Sequence, residues 1–316
     1  MMSKIVVLNA GLINYDQKID FSNLGDDVQI YESTDEGQIL ERVNDATVVV
    51  TKEMKVSGAV IRKFPESVKM ICEAGTGYNN IDAEAVKEKG IILTNIPEYS
   101  TKRVADTAIM LMLGLASSLQ QQIRMISDGN HDNFSKHLMV SHEEINGKTL
   151  GVFGFGHIGK EVIKVAQALG MKILVSTRTA RTDFDDIHFT TQTDVLKNSD
   201  FISLNLPLTP ETKHLINAET LSLMKPTAYL INTARGGLVD ESALVEALQE
   251  GKIAGAGLDV QEKEPLADDS PLFTLDNVIV TPHIGWRGLE TRQRLVNMIG
   301  ENIQAFMAGK PINRVI

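Results

Sequence analysis

Three residues able to bind or move charge each follow a short apolar run. AYLIN leads into Thr233-Ala234-Arg235-Gly236-Gly237, AGAGLDV leads to Glu264, and NVIVTP ends at His283. If these runs are parallel strands, their carboxyl ends open on one edge of a sheet, where ligands of such folds gather. An arginine, a carboxylate and an imidazole would meet there, and the set suits hydride transfer to a 2-oxo acid. Arg235 would hold the substrate carboxylate and polarise the carbonyl as charge develops on its oxygen. His283 would give that oxygen a proton in reduction and take it back in oxidation. Glu264, hydrogen-bonded to the imidazole, would orient it and keep its proton available near neutrality. Singly, each has a plainer reading: a surface arginine, a solvated glutamate, a satisfied histidine. Their joint placement after successive strands carries the functional one.

Hydride transfer needs a carrier, and the chain holds a site for one. Gly154-Phe155-Gly156-His157-Ile158-Gly159 follows the strand-like TLGVF and opens the helical GKEVIKVAQALG. The first glycine permits a tight turn, the second lets the backbone approach a pyrophosphate, and the third lets helix and strand pack closely. The N–H groups at the start of the helix, at His157 and Ile158, would face the phosphates. An acid that holds the adenosine ribose is expected about 20 residues further on. Thr177 stands there instead, followed by Arg178 and, nearby, Arg181. Loss of the acid removes repulsion of a 2′-phosphate, and a guanidinium can grip one. NADP(H) is therefore expected, the alternative being arginines that stack on adenine or face solvent while NAD(H) binds.

The elements that must position these residues fall into two alternating series. KIVVLNAG, VQIYE, TVVVTK, VKMICEAG and IILTNIP read as strands, with helical patterns in DEGQILERVNDA, SGAVIRKF and DAEAVKEKG between them. A long helix is expected from about Lys102 to Gln122, then a polar stretch, SDGNHDNFSKHLMVSHEEING. The second series starts at KTLGVFGFG, continues through MKILVS and FISLNLP to the three candidate strands, and ends in the helix LETRQRLVNMIGENIQAFMAG. Such alternation marks α/β architecture: two doubly wound, parallel-sheet, Rossmann-like domains with the active site in a cleft between them.

Bulk properties narrow the function classes. A chain of 316 residues can bury two cores, and a formal charge of −10 argues against general affinity for nucleic acid or anionic membrane. Cys72, in the apolar VKMICEAG, reads as a buried small hydrophobe. His131, His137 and His142 share a polar stretch, but their spacing fits no zinc motif, and no metal is expected. No signal peptide or membrane span is read, so the expected location is cytoplasmic.

GFGHIGK, the run LNLPLTPETKHLINAETLSLMKPTAYLINTARGGLVDESAL, AGAGLDVQEKEP, TPHIGW and, in the first half, EAGTGYNNID together resemble the D-isomer-specific 2-hydroxyacid dehydrogenases. The resemblance covers nearly the whole chain and implies Arg235, Glu264 and His283 as the catalytic trio. It implies that N–H groups around Thr76 and Gly77 bind the substrate carboxylate, beside Arg235. Leu206, Pro207 and Thr212 would line the adenosine side of the cofactor. Thr233, Ala234 and Asp259 would lie near the nicotinamide, within reach of Arg235 and His283.

The resemblance further implies a substrate domain of about residues 1–100 plus 288–316, a dinucleotide-binding domain over 101–287, and a homodimer. HIGW and the tail AFMAGKPINRVI resemble the branch that reduces hydroxypyruvate and glyoxylate to D-glycerate and glycolate. Trp286 would wall the substrate pocket or serve as a core or interface aromatic. Two departures stand out: Lys52 and Glu53 replace the TNK-like stretch of that branch, and Thr177 replaces the acid of NAD-dependent members. The open alternatives are a dehydrogenase of lactate, phenylpyruvate or 2-oxoisocaproate type, or a dinucleotide-sensing co-repressor-like scaffold. Physiological acid, cellular direction and NADP-only against dual cofactor use stay open at this level.

Overall fold

A computed structural model of the protein describes residues 4–179 and 181–316. The chain forms two compact units, one of residues up to Ser100 joined by Trp286–Ile316 and one of Thr101–Gly285.

The first unit is built on a five-stranded parallel sheet of β1 (Ile5–Val7), β2 (Val28–Ile30), β3 (Val48–Thr51), β4 (Met70–Glu73) and β5 (Ile92–Thr94), in the order β2-β1-β3-β4-β5. Its inner strands are continuous apolar runs because both faces are covered. Ile5, Val7, Val48, Val50, Met70 and Cys72 point to one face, under the last helix, Leu289–Met307. Val6, Leu8, Val49, Ile71 and Leu93 point to the other, under the short helices α1 (Ile39–Arg42), α2 (Gly58–Ile61) and α3 (Ala83–Glu88). The register pairs Thr51 with Glu73, so polar groups meet at the carboxyl edge, directly beyond the apolar core.

Arg292 fastens the last helix to this sheet. Its buried guanidinium donates at 2.8 and 2.7 Å to the two carboxylate oxygens of Asp16, donates to Ile13 O at 2.8 Å, and lies 4.3 Å from the centroid of the Tyr15 ring.

The second unit carries seven parallel strands: β6 (Thr149–Phe153), β7 (Lys172–Ser176), β8 (Ile187–Phe189), β9 (Phe201–Leu204), β10 (Tyr229–Asn232), β11 (Gly255–Leu258) and β12 (Val278–Val280). Their order, β12-β11-β10-β9-β6-β7-β8, reverses direction between β6 and β9, the switch point at which doubly wound sheets bind ligands. Helices α4 (Thr101–Ala116) and α7 (His157–Ala168) cover one face. The other lies under α8 (Gln192–Asn198), α9 (Ala218–Ser222) and α10 (Glu241–Gln249). The expected parallel α/β architecture is present in both units.

Two local expectations need correction. The helix expected to run from Lys102 to Gln122 stops at Ala116. Ser118 adopts a left-handed φ of 46°, and α5 (Leu119–Ser127) sets off anew. The carbonyls freed at the break are taken by the Glu143 N–H, on Ala116, and by Gln122 Nε2, on Ser117. The polar stretch beyond contains a further short helix, α6 (Asp132–Ser135). Among the described residues no helix is long and apolar enough to cross a membrane.

Candidate active site

Local bonding brings the three charged candidates together at the carboxyl edge of the second sheet. Asn232, the last residue of β10, ties the following turn by donating to Arg235 O at 2.9 Å and accepting from the Ala234 N–H at 3.1 Å. Gly236 is required next, because a Cβ there would collide with the Gln261 carbonyl. The two loops pass at backbone contact, which carries Arg235 toward the loop of Glu264. The Arg235 guanidinium, half-buried, donates to Ala234 O at 2.7 Å.

Asp259, just past β11, positions His283. Its buried carboxylate accepts from Thr281 Oγ1 at 2.6 Å and from the Ile284 and Gly285 N–H groups, each at 2.8 Å. Its main-chain carbonyl accepts from the His283 N–H at 2.9 Å. These four bonds hold His283 at φ 51°, a left-handed conformation that a non-glycine residue keeps only when its surroundings impose it. The ring then places Nδ1 3.0 Å from Glu264 Oε2, which leaves Nε2 as the atom that can exchange a proton with a ligand. Glu264 Oε1 accepts from the Gln261 N–H at 3.1 Å. Burial opposes ionisation of Glu264, but the hydrogen bond and charge of His283, the Gln261 N–H and the charge of Arg235 together hold its carboxyl below the usual carboxylate range.

The glycine-rich loop lies beside the switch point. Gly154 has φ 96°, and a Cβ there would collide with Asn205 O; a Cβ on Gly159 would collide with Gly154 O. A Cβ on Gly156 would meet nothing, so the loop presents bare backbone on that side. His157 and Ile158 occupy the first turn of α7. Thr177 is half-buried and Arg178 exposed just past β7. Arg181 lies with its guanidinium 5.3 Å from the centroid of the Phe155 ring, which also packs edge-on against Phe189.

The loop after β9 holds a half-buried Leu206 and an exposed Pro207, with Thr212 Oγ1 donating to Pro207 O at 2.8 Å. That loop also carries Glu211, which sequence reasoning did not single out. Its carboxyl is held below the usual range chiefly by a hydrogen bond with Thr209 and in lesser part by the charge of Arg178. Thr233 Oγ1 and Asn205 Oδ1 are buried without a partner among the described residues. Half-buried Ala234 follows Thr233. A bare-backbone cradle, a helix amino terminus and two unspent polar atoms on one sheet edge fit a dinucleotide.

In the first unit, Thr76 and Gly77 follow β4. The loop's carbonyls are spent: Gly75 O accepts from the Ile96 N–H at 2.9 Å and Thr76 O from Asn95 Nδ2 at 2.7 Å. The Thr76 and Gly77 N–H groups have no partner among the described residues. Trp286 is 3% exposed and belongs to the core of this unit, with the Lys52 ammonium 3.8 Å from its ring centroid.

Residues 109–285 match the family model described as D-isomer specific 2-hydroxyacid dehydrogenase, NAD binding domain. The chain belongs to the D-isomer specific 2-hydroxyacid dehydrogenase family. Within that family it is 36% identical to a glycerate dehydrogenase of Methylorubrum extorquens, over 100% of this chain and 99% of the relative. It is 40% identical over 92% of its length to a D-3-phosphoglycerate dehydrogenase of Methanocaldococcus jannaschii, of which the match spans 55%. Among solved structures it resembles an NADPH-dependent glyoxylate/hydroxypyruvate reductase of Sinorhizobium meliloti, in complex with NADP and malonate. The TM-score is 0.85 at 30% identity, covering 100% of this chain and 97% of the other.

Proposed function

We propose that this dehydrogenase reduces a short 2-oxo acid of the hydroxypyruvate and glyoxylate class to the D-2-hydroxy acid, with NADPH as its favoured cofactor. The observation that carries this reading is the His283–Glu264 pair, locked by Asp259 at the sheet edge that also holds Arg235 and the dinucleotide cradle. The nicotinamide, when bound, supplies or accepts the hydride at C2 of the substrate. Gly154, Gly156, His157, Ile158 and Gly159 hold its pyrophosphate, while Leu206, Pro207 and Thr212 line the adenosine. Thr233, with its unspent hydroxyl, and Ala234 border the nicotinamide.

Arg235 draws the substrate carbonyl into alignment and stabilises the negative charge that grows on its oxygen. His283 delivers a proton to that oxygen from Nε2 in reduction and removes it in oxidation. Glu264, its carboxyl held below the usual range, keeps the ring in place and offsets the charge of its protonated form. Asp259 acts through His283 as a positioning residue. In the first unit the unpartnered N–H groups of Thr76 and Gly77 receive the substrate carboxylate, so this unit is the substrate domain and Thr101–Gly285 the dinucleotide domain.

Thr177 in place of an acid, with Arg178 beside it, supports NADPH. Use of both cofactors is the second reading, favoured by Glu211, whose charge already partly offsets that of Arg178. A homodimer completes the proposal. Leu119, Ile123 and Ile126 form one exposed apolar face of α5, and Phe134, 78% exposed, Leu138 and Met139 are exposed in the stretch that follows. These exposed apolar side chains support an interface with a second copy of the chain.

The test is the initial rate of hydroxypyruvate reduction with NADPH and NADH side by side, with glyoxylate, pyruvate and phenylpyruvate for comparison. Fast turnover of hydroxypyruvate and glyoxylate with NADPH is expected. A strong preference for NADH would overturn the cofactor reading, and turnover confined to phenylpyruvate or pyruvate would overturn the substrate class.

A further inference from the structure

The carboxyl edge of the first sheet holds a buried cation with no part in the proton and hydride transfer proposed for Arg235, Glu264 and His283. The Lys52 side chain is 3% exposed. Asn9 pins its backbone from both sides, accepting from the Lys52 N–H at 2.9 Å and donating to its carbonyl. The side chain is thereby aimed along the Trp286 ring toward the loop after β4, and its Nζ lies 3.7 Å from where a Cβ on Gly75 would stand. Gly75 immediately precedes Thr76 and Gly77, whose N–H groups have no partner among the described residues.

Two carboxylates neighbour this ammonium, and they differ in kind. Glu73 is 1% exposed and saturated, accepting from Thr51 Oγ1 at 2.6 Å and from the Glu53 N–H and Asn80 Nδ2, each at 2.9 Å. It is a fixed part of the framework. Glu53 instead reaches Lys52 at 2.6 Å with a side chain that is 39% exposed. Its backbone is anchored separately, at φ 52°, by the bond to Glu73, so the carboxylate can leave without moving the chain. A buried ammonium must keep an anion beside it, yet nothing requires that anion to be the protein's own. Burial works to lower the Lys52 pKa, but Tyr99, Glu53 and Glu73 outweigh it, and the side chain stays charged.

We propose that Lys52 is a substrate-binding cation and Glu53 its exchangeable counter-ion, so that a carboxylate of the incoming 2-oxo acid replaces Glu53 on the Lys52 ammonium. The proposal rests on the reading of the Thr76–Gly77 loop as the seat of the substrate carboxylate. It favours acids able to place a carboxylate beside Lys52.

The two partners should respond with opposite signs. A structural ion pair is broken equally by removing either member, whereas in an exchange Lys52 attracts the ligand and Glu53 competes with it. Lys52→Met and Glu53→Gln are compared with the unaltered protein, reading KM for glyoxylate, hydroxypyruvate, oxaloacetate and 2-oxoglutarate, KM for the cofactor, and calorimetric binding of unreactive oxalate. Methionine fits the same buried space, and replacing a buried ion pair with apolar atoms is often neutral for folding.

Lys52→Met should weaken 2-oxo acid and oxalate binding by about tenfold or more, and Glu53→Gln should tighten both by a few-fold, with cofactor KM unchanged. A loss shared by all four acids assigns Lys52 to the carboxylate at C1. A loss confined to oxaloacetate and 2-oxoglutarate assigns it to a second carboxylate. Shifts of the same sign in both variants, or none above about twofold, would show a structural pair and overturn the proposal. Absence of turnover with every acid, alongside opposite signs for oxalate, would instead overturn the proposed activity and leave the exchange standing.

Discussion

At the scale of single residues, the site works by removing freedom from a few polar atoms. His283 has one ring nitrogen committed to Glu264 and its backbone fixed by Asp259, so a single direction remains for its proton. Arg178 illustrates the opposite state, an exposed guanidinium beside Thr177 whose charge helps to lower the pKa of Glu211. If Arg178 grips a 2′-phosphate, Arg178→Ala should raise KM for NADPH by about 10- to 100-fold, the range of one charge-assisted hydrogen bond or two, and leave that for NADH nearly unchanged. Equal effects on both cofactors, in steady-state kinetics, would remove the phosphate clamp from the account.

That Arg235, Glu264 and His283 gather at one sheet edge was legible in the sequence because each follows a recognisable strand and the strands are parallel. For Asp259 the sequence raised only the expectation of a place near the nicotinamide. Its hold on the His283 loop depends on bonds to residues 281–285, which strand patterns do not encode. Lys52 and Glu53 were visible as a departure from the family's pattern. That one is buried and the other exposed follows from the packing of Trp286 and the register of Thr51 against Glu73.

At the scale of elements, turns that only glycine can make bring these residues to the sheet edge. Gly154 combines a φ of 96° with backbone contact to Asn205, so that β6, α7 and the loop after β9 share one crowded point. Gly154→Ala should lower thermal stability and weaken cofactor binding together, since a left-handed L-residue alone costs about 1–2 kcal/mol before the collision is counted. Wild-type melting temperature and cofactor affinity in that variant would contradict the packing described.

Period and composition located the inner strands and most helices, but not the break at Ser118 or the edge strand β8. The apolar pattern continues across Ser117-Ser118, and only the distant Glu143 N–H, arriving to take a helix carbonyl, reveals why the helix ends. Strand β8 is three residues long, with an exposed His188 at its centre, too short and polar for alternation to register.

At the scale of the whole molecule, the chain leaves the first unit at Ser100 and returns to it at Trp286, so that unit is completed by the end of the chain. Arg292 on the last helix grips Asp16, and its hydrogen bonds draw the Asp16 carboxyl down from the ordinary 3.8 to about 2. A carboxyl whose pKa is depressed in the folded state lends stability that is complete above its unfolded value and lost as pH falls through the folded one. Asp16→Asn should therefore be less stable than wild type at about pH 5, and the difference should shrink below about pH 4 and vanish only below about pH 2. Denaturant titrations across that range measure it, and a difference independent of pH would contradict the ion pair.

Whether His283 carries the proton that accompanies hydride transfer is decided by single-turnover oxidation of bound NADPH by hydroxypyruvate in wild type and His283→Ala. Unchanged NADPH binding and a rate constant lower by about 10²- to 10⁴-fold, the range of general acid catalysis, are expected. A variant that binds NADPH normally and oxidises it within about tenfold of the wild-type rate would contradict that role.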